Sequence, residues 1–116
     1  DWHTHNNYVY LIGSDRLSLE LHEISEETNK NHVGLELDYT YNDVDDPNRY
    51  YYRSDHYNFA KNNIPVIFYF NGVHEDYHKP SDTIDKIDLE KTERITKLIF
   101  LTAWEIANRD KRPALN

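Results

Sequence analysis

The residues best equipped for chemistry lie together between Asn71 and Thr83, where the chain reads Asn-Gly-Val-His-Glu-Asp-Tyr-His-Lys-Pro-Ser-Asp-Thr. The imidazoles of His74 and His78, the carboxylates of Glu75, Asp76 and Asp82 and the phenol of Tyr77 fall within this one stretch. Metal ligation, proton transfer and hydrogen bonding to a developing negative charge are all open to such a set. His74 to His78 also spells His-Glu-x-x-His, which grips zinc when a helix places both imidazoles on one face. Here Gly72 precedes the pattern and Pro80 follows it, which turns Lys79 away from helical dihedrals. The stretch therefore reads as a loop, and His74 and Glu75 as a coincidental match.

A second polar group is Arg53-Ser54-Asp55-His56. Its plainest reading is the start of a short helix running through Phe59, with Ser54 or Asp55 as N-cap. Upstream, Asp43, Asp45 and Asp46 lack the glycine and terminal glutamate of a calcium-binding loop and read as a solvated segment. Tyrosines crowd this region, at 39, 41, 50, 51, 52 and 57. Rings with a polar tip suit a substrate wall and plain packing against loops equally well.

The elements that must position these groups follow from hydrophobic patterning. Tyr8 to Ile12 is a run of strand formers ended by Gly13. A helix follows, capped by Ser14 or Asp15, with Leu17, Leu21, Ile24 and Thr28 at helical spacing and His22 on its surface. After a polar turn at Asn29 to His32, Leu35 to Tyr39 reads as a second strand, and this order of elements marks an α/β sheet. Val66 to Phe70 is an unbroken apolar run that suits a strand covered on both faces of a parallel sheet. In such sheets the residues past a strand's carboxyl end line the ligand crevice, where the stretch from Asn71 to Thr83 falls. The last element, roughly Asp88 to Arg109, is a long helix. Its stripe of Ile95, Leu98, Ile99, Thr102 and Ile106, widened by Phe100 and Trp104, predicts deep burial. That stripe is wider than three short strands and two small helices cover, which implies that more protein belongs against it.

With 116 residues the chain is the size of one small domain, and its net charge of -8 argues against a phosphate-binding surface and hence against nucleic acid as partner. No apolar run reaches membrane-spanning length, and Asp1-Trp2-His3-Thr4-His5 carries no export signal. There is no cysteine, so disulfides and thiolate sites are excluded. There is no methionine either, even at position 1, which implies a processed product or a piece of a longer chain.

Three motifs, in order, carry a resemblance: Arg53-Ser54-Asp55-His56-x-x-Phe59, then Asn63-Ile64-Pro65 with its apolar strand, then Asp76-Tyr77-His78-Lys79-Pro80-Ser81-Asp82-Thr83. Together they resemble the C-terminal half of the co-catalytic zinc aminopeptidases, the family of bacterial leucyl aminopeptidases, glutamate carboxypeptidase and glutaminyl cyclases. The resemblance implies a three-layer α/β/α fold with a mixed, largely parallel sheet, of which residues 1–116 form the C-terminal part. It implies that His78 ligates one of two zinc ions and that Tyr77 donates to the oxyanion of the tetrahedral intermediate. Asp82 and Thr83 would hold the loop and orient His78, while Ser54, Asp55 and His56 would line the substrate side of the cleft. The family's other ligands and its glutamate base lie upstream of the matching region. Asp1 falls near the last of them, but several residues too late. The implied activity is hydrolysis of the first peptide bond of a substrate with a free N-terminus by water activated between two zinc ions. The implied setting is extracytoplasmic, and this half by itself would be inactive. Two alternatives share the scaffold: a non-catalytic peptide-binding or structural domain, and a cyclotransferase of the glutaminyl cyclase type.

Overall fold

The run Tyr8–Ile12 forms β1 as expected in the computed structural model of the protein, which describes residues 3–116. Asp1 lies outside the described residues. All five β1 side chains are buried, which requires cover on both faces of the sheet. β1 is the middle of three strands in the order β2-β1-β3. It pairs in parallel with β2 (Glu36–Asp38) and antiparallel with β3 (Phe68–Phe70), so the sheet is mixed. Both outer strands are shorter than the apolar runs around them, because a ladder extends only where a partner backbone lies alongside. β3 is half-buried along its length rather than covered on both faces, since in this sheet it is an edge strand.

Strand alternation divides the core in two. On one face Val9 and Leu11 meet Leu35, Ile95 and Leu98. On the other, Ile12 meets Tyr50, Tyr51 and Ala60, with Phe68 and Phe70 packed alongside. The first face lies under α1 (Leu19–Thr28) and α3 (Leu89–Ala107). A hydrogen bond of 2.9 Å between Ser25 and the Tyr69 hydroxyl ties α1 to β3. The second face lies under α2 (His56–Ala60) and the tyrosine-rich segment before it.

Local chemistry explains where the helices begin and end. The cap of α1 is Ser18, whose Oγ accepts from the Leu21 amide at 3.1 Å, rather than Ser14 or Asp15. Ser14 is instead buried, its hydroxyl 2.9 Å from His22 Nδ1. His22 is accordingly not an ordinary surface residue: it is half-buried, with its ring 5.2 Å from that of Tyr39. The polar segment after α1 does not turn away but widens into a π turn, Asn29–Val33, and Gly34 at φ +82° releases the chain. The Asn29 side chain then bonds both the carbonyl (2.7 Å) and the amide (2.9 Å) of Leu35, satisfying buried backbone. Asp55 occupies the cap position of α2, yet no side chain makes the capping bond expected of Ser54 or Asp55. Asp88 does cap α3, accepting from the Lys91 amide at 3.0 Å. Only Ile95, Leu98 and Thr102 of α3 are buried. Phe100 and Trp104 are about three-fifths exposed, at 60% and 61%, because three strands cannot cover so wide a stripe. No helix among the described residues is long and apolar enough to cross a membrane.

Gly13 ends β1 at φ +86°, and a Cβ there would meet the Tyr51 ring at 2.6 Å, whereas one at Gly34 would meet nothing within 4 Å. Gly13→Ala is expected to cost about 3 kcal/mol, combining left-handed strain with a clash, and Gly34→Ala about 1 kcal/mol from strain alone. Denaturation midpoints of the two variants check this order, and equal losses would contradict it.

Candidate functional site

The carboxyl end of β3 passes directly into the loop that carries the chemistry, with Gly72 at φ +90° making the turn. From His74 to Asp82 the backbone is a chain of turns. The Tyr77 amide donates to the His74 carbonyl (3.1 Å), that of Lys79 to Asp76 (2.9 Å), and that of Asp82 to Lys79 (3.1 Å). No helix forms here, so His74 and His78 do not share a helical face, as Gly72 and Pro80 predict. Asp76 holds the loop together. Its carboxylate accepts from Ser81 Oγ at 2.6 Å and pairs with Lys86 Nζ at 3.1 Å. These bonds, that from Ser81 foremost, hold the Asp76 carboxyl below the usual carboxylate range.

His78 lies within this framework at φ +59°, a left-handed conformation that costs a residue with a Cβ about 1–2 kcal/mol. Such strain persists where surrounding bonds over-determine it, and it concentrates at functional sites. The His78 ring rests against Tyr77, centroids 3.9 Å apart and planes at 37°, and both side chains face solvent. The phenol and imidazole named from the sequence are therefore side by side. Asp82 and Thr83 lie at the end of this loop. Asp82 Oδ2 lies 3.8 Å from Nε2 of His74. The Thr83 carbonyl accepts from the Lys86 amide at 3.1 Å and so starts the turn Ile84–Lys86. Both residues fix the loop's exit.

The segment from Ser54 to His56 approaches β3 from the other face of the sheet. Ser54 and Asp55 are exposed. The His56 Nε2–H donates to the Tyr51 carbonyl at 2.7 Å, and the ring tilts over Phe68 at 4.5 Å. Because a carbonyl only accepts, the proton of neutral His56 is on Nε2 and Nδ1 carries the lone pair. That Nδ1 is buried with no hydrogen-bond partner among the described residues. Tyr50 connects this segment to the loop: its ring packs 4.6 Å from Phe70. Burial, foremost, raises its phenol pKa, and the neighbouring phenol of Tyr77 adds to the shift. Tyr50 and Tyr51 are thus core residues rather than a substrate wall. Between the loop and the start of α3 lies an open cavity of about 520 Å³, lined by His74, Asp76, Asp82, Asp88 and Lys91 among others.

One further cluster was not anticipated from the sequence. His3, His5 and Glu36 bring one ligating atom each within 4.8 Å of one another. The His-x-His spacing was a visible signal, but the partner carboxylate is contributed by β2, through the pairing Tyr8↔Glu36.

Burial over Phe68 pushes His56 below its ordinary pKa of 6.5, outweighing its bond to Tyr51 and the charge of Asp55. A folded-state value lowered in this way means the associated stability is complete above about pH 6.5 and is lost as pH falls through the lower folded value. An NMR titration of the ring should give a midpoint below 6.5, and Phe68→Ala, by admitting water, should raise it. A wild-type midpoint at or above the ordinary value would contradict the burial.

Compared with known protein families, the chain matches Peptidase family M28 over residues 3–103. No curated protein and no solved structure matches it. The matched span takes in the whole sheet, both approaches to β3, the paired Tyr77 and His78, and most of α3. On that breadth the chain belongs to Peptidase family M28, a family of metallopeptidases.

Proposed function

We propose that residues 1–116 are the C-terminal part of a single zinc-peptidase catalytic domain of three-layer α/β/α form. Its activity is that of an exopeptidase, an aminopeptidase removing the N-terminal residue of a peptide. The observation that carries this reading is the strained His78 beside Tyr77, on a loop braced by Asp76 at the end of a strand. The donor chemistry fits zinc in part: His78 offers an exposed imidazole, but the one His and carboxylate cluster among the described residues does not include it. A catalytic zinc takes three protein ligands, so the remaining donors come from the upstream half of the same domain, and these 116 residues alone are inactive. The exposed Phe100 and Trp104 on α3 supply a surface for that half to cover.

In this reading His78 would ligate zinc, of which two ions are expected, and the metal would supply the Lewis acidity that activates water for hydrolysis. Tyr77 donates its phenol proton in a hydrogen bond to the oxyanion that develops at the scissile carbonyl. Ser54, Asp55 and His56 line the substrate side, and the peptide's free α-amino group is recognised by acidic groups of the cleft. Asp82 and Thr83 maintain the loop that presents His78. The enzyme works outside the cytoplasm, on peptide rather than nucleic acid.

In the full protein, Tyr77→Phe should lower kcat on an aminoacyl substrate by about 10²–10³-fold with little change in KM, the loss typical of one oxyanion donor. His78→Ala should lose both zinc and activity. A full protein that binds no zinc would transfer the reading to a non-catalytic peptide-binding or structural domain. Cyclisation of N-terminal glutamine in place of hydrolysis would transfer it to a cyclotransferase.

A further inference from the structure

We infer that His3, His5 and Glu36 form a binding site for a divalent transition ion of zinc's kind, which clips the segment leading into β1 onto β2. Nothing in this site involves His78 or Tyr77.

His3 is the core of the inference. Its side chain is 1% exposed, stacked on Tyr8 with ring centroids 3.8 Å apart, so its orientation is fixed. Nε2 lies 2.7 Å from Asp38 Oδ2, and Nδ1 lies 2.9 Å from Glu36 Oε2. Carboxylates only accept, so with the proton on Nε2 the neutral ring turns the Nδ1 lone pair toward a second acceptor. Two groups resolve that opposition: a second proton on the ring, or a cation shared by Nδ1 and Glu36. The first nitrogen already has the arrangement a metal-binding histidine requires. Its N–H is held by Asp38, which is itself anchored by the side chain (2.5 Å) and amide (2.8 Å) of Thr40. A carboxylate behind the ligating ring fixes the tautomer and raises the basicity of the other nitrogen.

The remaining donors complete the set. His5 Nε2 lies 3.8 Å from the same Glu36 oxygen. Around a tetrahedral zinc with bonds near 2.1 Å, ligating atoms are separated by roughly 3.4 Å, a value bracketed by the 2.9 and 3.8 Å found here. His5 and Glu36 are each half-exposed, at 49%, so they can close the remaining distance and leave an open side for water and for metal entry. His5 Nδ1 now accepts from the Asn7 amide at 3.0 Å. Coordination through Nε2 takes the other tautomer and releases that exposed amide to water, which replaces the bond. Two imidazoles with one carboxylate favour zinc and its transition-metal neighbours over calcium or magnesium, which prefer all-oxygen sites.

The test is a zinc count by plasma mass spectrometry on the full protein after dialysis against a buffer of fixed micromolar free zinc. His5→Ala and Glu36→Gln, both at half-exposed positions, are compared with the wild type, and each is repeated in a His78→Ala background. We expect each substitution to remove one zinc per chain in both backgrounds. The thermal upshift produced by zinc should shrink with it, as linkage requires when a native-state ligand is lost. Unchanged zinc counts in His5→Ala and Glu36→Gln would overturn the site. The His78→Ala arm reports separately on the proposed peptidase reading, so failure of one is distinguishable from failure of the other.

Discussion

The structure depends on covering one short strand from both sides. β1 has no exposed residue, and Val9, Leu11 and Ile12 are buried completely. Each such aliphatic side chain contributes about 1.5–3 kcal/mol when removed from water, and that gain is available only if both faces are roofed. The helices α1 and α3 roof one face, and the tyrosine-rich segment with α2 roofs the other. β2 and β3 then flank β1, one parallel and one antiparallel. Because Tyr10 pairs with Phe70, the carboxyl end of β3 emerges beside the amino-terminal half of β1. The loop bearing Tyr77 and His78 and the lead-in bearing His3 and His5 therefore leave the same end of the sheet. Asn6 confirms this closeness, donating to Asp88 at 2.8 Å just where α3 starts.

Polar groups at that end are organised by a few bonded carboxylates. Asp76 accepts within the loop, Asp88 caps α3 and accepts from Asn6, and Asp38 accepts from Thr40 and His3. At Asp38 burial pushes the carboxyl pKa up, but the bonds from Thr40 and His3 outweigh it and hold the group ionised. The phenols behave in the opposite way. Burial pushes Tyr10 up to about 12, with Tyr41 and Tyr8 adding to it, and burial likewise raises Tyr39, with its bond to Glu26 adding to the shift. The buried phenols of the aromatic interior thus stay neutral.

α3 shows how incomplete the cover is. Its inner residues Ile95 and Leu98 join the core, while Phe100 and Trp104 stack on each other at 6.0 Å in solvent. β3 adds an edge with no fourth strand among the described residues. An exposed aromatic pair and an unpaired strand edge are each the kind of surface that proteins cover with further chain.

Much of the architecture was legible in short-range pattern. β1 matched its run of strand formers residue for residue, α3 began at the cap Asp88 as its periodicity predicts, and Gly72 with Pro80 correctly ruled out a helix through His74 and His78. These features depend on neighbours a few positions apart, where propensity and turn chemistry act. Local pattern failed wherever a distant partner decided. Ser14 was drawn from capping into the core by His22, and the ends of β2 and β3 were set by the backbone of β1. On α3 the centre of the stripe was buried, but Phe100 and Trp104, which widen it, stayed exposed for want of cover. The pairing of Tyr77 with His78 follows from adjacency and was determined by the sequence itself. The meeting of His3 and His5 with Glu36 was decided only by the tertiary structure. It exists because the parallel register of β1 and β2 joins residues some thirty positions apart, and no local preference specifies that register.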